Sequence, residues 1–148
     1  MQATKDKITE EEFLGAIYKN VKMGADAIID LLPRVRHNAL RSAMTLQLDG
    51  YERYASRAAK GMRERGAEAK EERLVVRMGA KMGIAFQTML SVTTSHIAEL
   101  MIEGSNMGIT EMTKLINNYK SRECEATELA REIIAFEQHN IELLKEYL

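Results

Sequence analysis

Apolar positions recur at spacings of three and four along almost the whole chain, which is the helical period. Leu14, Ile17, Val21, Ala25, Ile28 and Leu32 form the first such stripe. Thr9 with Glu12 reads as a capping box at its start, and Ile8 with Phe13 as a hydrophobic staple. Glu10, Glu11 and Glu12 suit the positive end of the helix dipole. Pro33, the only proline, stops the helix at about Leu32. A second helix is expected from about Arg36 to Arg65, its stripe carried by Leu40, Met44, Gln47, Leu48, Tyr51, Ala55, Ala58 and Met62. The stretch RERGAEAKEER, with Gly66 inside, reads as a solvated turn.

Three further helices follow. The third runs from about Glu71 to Leu90, with Val75, Met78, Met82, Phe86 and Met89 on one face. The β-branched, hydroxyl-rich run SVTTSHIAE places a break near Val92–Thr94, with Thr94 or Ser95 as the next cap. The fourth runs from about Ser95 to Tyr119, with Ile97, Met101, Gly104, Gly108, Leu115 and Tyr119 inward. Its centre, EGSNMGIT, is weak helix material. Either the helix breaks there, or a neighbour packs closely enough to hold it. The fifth runs from about Glu123 to Tyr147, with Ala130, Ile133, Ile134, Glu137, Ile141, Leu144 and Leu148 along one side. No alternating strand pattern or hairpin dipeptide occurs. The expected fold is a single all-α domain over residues 1–148, an up-and-down antiparallel bundle of four to five helices.

Composition narrows the function. Hydrophobic residues make up 45% and charged residues 29%, as in ordinary globular domains. The net charge of −1 supplies no bulk attraction to nucleic acid. No stretch approaches the length of a membrane helix, and MQATKDKITEEEF has no apolar run of the secretory type. With Cys124 as the only cysteine, no internal disulfide forms, which fits a reducing, cytoplasmic location. Gly-rich phosphate loops, nucleophile elbows and zinc cysteine patterns are absent, so a conventional hydrolase, kinase or dehydrogenase has no support.

The stretches LQLDGYERYA, SHIAELMIEGSNMGI and FEQHNIELLKEYL resemble the ferritin-like superfamily, in particular a bacterial branch of small ferritin-like proteins. The likeness covers most of the chain. It implies a helical bundle, and in metal-bearing members two helices each give a glutamate while two others each give Glu-x-x-His. Residues three apart lie roughly 60° apart around a helix, so both ligands face the bundle axis. This chain departs from that pattern. The residue three before His37 is Arg34, before His96 it is Thr93, and before His139 it is Phe136. Glu137 sits where the family's last glutamate would sit, but Asn140 stands in place of its histidine. In the second helix the nearest analogues are Asp49 with Glu52, or Gln47 alone. In the first, only Asp26 is available.

Glu137 is the sharpest candidate, because isoleucines and leucines surround it on its own face. A buried carboxylate must be hydrogen-bonded, protonated or metal-bound. A hydrogen bond to a buried Tyr, Gln or His is the plain structural reading. The functional one is an altered metal site joining Glu137 and His96, with Glu52 or Gln47, holding iron, manganese or zinc. His139 lies about 200° around from Glu137 and reads as surface. Met78, Met82 and Met89 read as core filling in a methionine-rich interior, although thioethers also bind Cu(I). Cys124, flanked by Glu123 and Glu125, reads as an inert thiol. Arg34, Arg36, His37 and Arg41 cluster at the first turn, as a solvated patch or as compensation for the end of the first helix, with phosphate binding as the functional alternative. Whether the chain is an enzyme stays open. The leading expectation is a non-enzymatic bundle that lacks the family metal site, requires no cofactor, and makes contacts through its helix faces with itself or with a protein partner, but not with nucleic acid or membrane. The altered metal or oxidant-handling site comes second, and a small apolar ligand held between methionine-rich helices third.

Overall fold

The computed structural model describes residues 8–69, 92–119 and 123–148. Four long helices account for most of these residues: α1 (Glu10–Leu31), α2 (Asn38–Glu64), α3 (Thr94–Asn118) and α4 (Glu125–Leu144). Short 3-10 turns follow α1 at Leu32–Arg34 and α4 at Lys145–Tyr147. The third expected helix, Glu71–Leu90, and its methionines Met78, Met82 and Met89 lie outside the described residues. No described helix is long and apolar enough to cross a membrane.

Local chemistry accounts for the helix ends. Thr9 Oγ1 accepts from the Glu12 amide at 3.1 Å, and Glu12 accepts from the Thr9 amide at 3.0 Å, completing the capping box. Pro33 falls within the turn that closes α1. Arg41 donates to the carbonyls of Leu32 and Val35, both at 2.9 Å, and so answers the negative end of α1. At the end of α2, Gly66 takes φ +77°, the left-handed region, and the Ala67 amide returns to the Met62 carbonyl at 2.9 Å. Thr93, one residue earlier than expected, caps α3 by accepting from the His96 amide. Cys124 stands just outside α4 as its cap residue rather than within the first turn, and Thr127 Oγ1 accepts from its amide at 3.0 Å.

Side-chain contacts fix the order and direction of the helices. Arg65 at the end of α2 pairs with Glu10 at the start of α1 at 2.9 Å, so these two run antiparallel. Arg57 of α2 bonds Glu132 of α4 at 2.9 Å, while Tyr51, further back along α2, meets Glu137, further on along α4. That pair is antiparallel as well. Between α1 and α3, Phe13 meets Tyr119 and Asn20 lies beside Gly108, again in opposite directions. α3 and α4 pack extensively, and α3 also meets the turn after α4. It follows that α2 and α3 point the same way, and that Glu64 and Thr94 sit at opposite ends of the bundle. One end gathers Phe13 against Tyr119 at 5.3 Å; the other gathers His37 against Tyr147 at 5.4 Å. The core between them includes Phe13, Leu14, Ile17, Ile28, Leu40, Met44, Ile97, Met112, Leu129, Ile133 and Leu144.

The weak stretch EGSNMGIT lies inside one continuous helix. Packing holds it, as a neighbour must where propensity is poor. Ser105 and Gly108 are buried, and the carboxylate of Glu137 lies directly over Gly108, where a Cβ would overlap its Oε2. Gly104, by contrast, has open space around its missing Cβ. The two glycines therefore respond oppositely to alanine. Gly104→Ala raises stability by up to about 1 kcal/mol through helix propensity. Gly108→Ala lowers it by about 1–3 kcal/mol through overpacking against Glu137. Urea unfolding midpoints of the two variants against the parent check both signs.

Candidate functional site

Glu137 occupies the middle of α4 with Ile133 one turn before it and Ile141 and Leu144 after it, and it is 2% exposed. The helix period alone carries it into the core. Three other helices then surround it. Tyr51 from α2 donates its hydroxyl to Glu137 Oε1, and Ser105 Oγ from α3 donates to the same oxygen at 3.0 Å. The Tyr51 ring is held edge-on by Phe136 at 5.1 Å and lies against α1 at Gly24, where a Cβ would fall 2.8 Å from the ring. Gly24 is thus the only kind of residue that lets this tyrosine lie flat on α1 at that distance. Oε2 of Glu137 lies beside a cavity of about 40 Å³ bounded by Asn20, Met23, Met101, Met107 and Gly108. That volume can hold a water molecule.

Burial controls the charge here. It pushes the Glu137 carboxyl up to about 7, while the hydrogen bonds from Tyr51 and Ser105 pull it back and the nearby Asn140 amide does so more weakly. The Tyr51 phenol is driven well above its usual range, first by burial and then by the neighbouring carboxylate, so it remains a donor. Beyond this pair the polar layer continues one turn further, with Gln47 on α2 and Asn140 on α4, each 2% exposed.

The residues proposed as metal ligands separate into two groups. Gln47 lies one turn from Tyr51 on the same buried face as the site. Glu52 is exposed, about 100° around α2 from Tyr51. His96 stands in the first turn of α3, nine residues before Ser105, or about 13 Å along the helix. There it is half-buried and paired with Glu99 at 3.2 Å. The structure therefore brings Gln47 toward Glu137 and leaves His96 and Glu52 away from it. Among the described residues, no three His, Cys, Asp or Glu side chains come together to hold a metal ion. One carboxylate whose Oε1 already accepts two hydroxyl protons does not fit the donor set of a di-metal centre. Asp49 is exposed and paired with Arg53, and His139 is exposed.

Sequence reasoning named tyrosine as one possible partner of Glu137 without fixing which, and it passed over Ser105. The signal for Ser105 was present: Ile97, Met101, Ser105, Gly108 and Met112 follow one another at spacings of four, four, three and four. The lining role of Asn20 and Gly24 carried no comparable signal. Comparison of the chain with protein-family models, with curated proteins and with solved structures finds no match.

The raised carboxyl makes stability depend on pH. In the unfolded chain Glu137 ionises near its ordinary 4.5, and in the folded chain at about 7. Between these values the folded state binds the extra proton, so stability falls as pH rises through that window. The whole effect is at most roughly 3 kcal/mol. Glu137→Gln keeps an acceptor for Tyr51 and Ser105 and cannot ionise. It is expected to unfold at a higher urea concentration than the parent at pH 8, with the advantage shrinking toward pH 4.5. Parallel urea titrations across that range check the sign.

Proposed function

We propose that this chain is a ferritin-like bundle whose family metal-ligand position has become a structural hydrogen-bond centre, and that it works as a non-enzymatic interaction protein through its helix faces. The observation that carries this reading is the engagement of Glu137: two hydroxyls, from α2 and α3, converge on its Oε1. In this reading the glutamate fixes how helices meet instead of holding an ion. The helix order supports the ferritin-like part, since bundles of that kind have one connection that returns along the bundle, leaving its two flanking helices parallel. Exposed Ile29, Leu46, Met107 and Leu143 supply apolar contact points on the outer faces.

The competing reading is an altered iron, manganese or zinc site at Glu137, and metal content separates the two. Tag-free protein purified without chelator is challenged with Fe(II), Mn(II) and Zn(II), desalted, and analysed for elements. The expected result is metal far below one ion per chain, unchanged in Glu137→Ala. Stoichiometric metal that disappears in Glu137→Ala would replace the structural reading with the metal site. Sedimentation velocity on the same samples measures self-association.

A further inference from the structure

Leu46 and Leu143, 73% and 43% exposed, flank a groove of about 430 Å³ between α2 and α4. Ala43, Phe136 and Tyr147 add to its apolar wall. Its size falls within the range of small-molecule sites. Its lining also contains two buried amides, Gln47 from α2 and Asn140 from α4, each 2% exposed. Neither polar atom of the Gln47 amide has a hydrogen-bond partner among the described residues, and Asn140 Nδ2 has none either. Native proteins seldom leave such groups unpaired. Three unpaired amide atoms from two facing helices, beside an apolar groove, therefore point to a missing partner.

The chemistry of that partner can be read from the amides. Gln47 offers an acceptor and a donor side by side, and Asn140 adds a second donor. The complement is a cis-amide edge, a ring N–H next to a ring carbonyl. The N–H donates to Gln47 Oε1, and the carbonyl accepts from Gln47 Nε2 and Asn140 Nδ2 through its two lone pairs. Charge argues for a neutral molecule. The groove carries Glu146 and His139 but no Lys or Arg, and Glu137 lies one turn from Asn140, so an anion finds no counter-ion. We propose that the groove between α2 and α4 binds a small, neutral, flat ring compound with a lactam edge, its polar side on Gln47 and Asn140 and its apolar body against Leu46, Phe136 and Leu143. Rotation about its soft terminal torsion turns the edge of the Gln47 amide to face the ligand.

The test uses the full chain and two probes, 2-quinolinone and its N-methyl derivative, which keeps the ring and carbonyl but lacks the donor. Calorimetric titration and amide NMR spectra follow binding. The lactam is expected to saturate a single site, shifting signals around Gln47 and Asn140, with the N-methyl compound weaker by about tenfold or more. Gln47→Leu removes the unpaired amide, so it is expected to stay folded, with an unfolding temperature no lower than the parent's, and to lose the preference between the probes. Asn140→Leu provides the same readout from the other helix. Equal binding of the two probes, no signal shift at millimolar lactam, shifts confined to another part of the bundle, or a preference that survives both substitutions would each overturn the proposal.

Discussion

The arrangement of the helices depends on one requirement: a carboxylate carried into the core by the period of α4 must find donors there. Glu137 satisfies it with one hydroxyl from α2 and one from α3. A hydrophobic side chain can slide by a fraction of a turn at modest cost, because apolar contact has no direction. A carboxylate with two hydroxyl donors has no such latitude, since an unmade hydrogen bond in the interior costs more than a made one contributes. The register of α4 on α2 and on α3 is therefore set at the same atom. Tyr51 extends the constraint to α1, because its ring lies where only glycine at position 24 leaves room.

Much of this was legible in the sequence for plain reasons. The stripes of α1 and α2 are long and regular, and their ends carry strong local signals at Thr9, Pro33 and Gly66. The burial of Glu137 was legible too, because its neighbours at helical spacing are isoleucine and leucine. The companions of Glu137 were not. A pattern gives the face of each helix but not its axial position against another helix, and that position decides whether Tyr51, Gln47 or His96 meets Glu137. His96 shares a helix with Ser105 and begins from a proper cap, yet the antiparallel offset of α3 against α4 leaves it more than two turns away from the carboxylate.

The glycines show the same division between local and long-range information. Within α3, Gly104 and Gly108 lie four residues apart, and the helical pattern places both on the inward face. Only the neighbouring helix distinguishes them, since Gly108 underlies the Glu137 carboxylate and Gly104 faces open space. Gln47 and Asn140 belong with them. Their burial follows from helical spacing, whereas the lack of partners for their amides emerges only when α2 and α4 are set side by side.

The directions of the four helices have a further electrostatic consequence. The most closely packed neighbours are α1 with α2, α2 with α4, α4 with α3 and α3 with α1, and each of these pairs is antiparallel. Among the described residues, positive and negative helix termini therefore alternate around the bundle, two of each at either end. The axial dipoles of these four helices largely cancel, and what survives of them is a quadrupole, whose field falls off faster with distance than that of a dipole. A charged molecule approaching either end along the axis feels little net pull from the backbone. The electrostatic field beyond the ends of these four helices is therefore set by their charged side chains and not by the backbone.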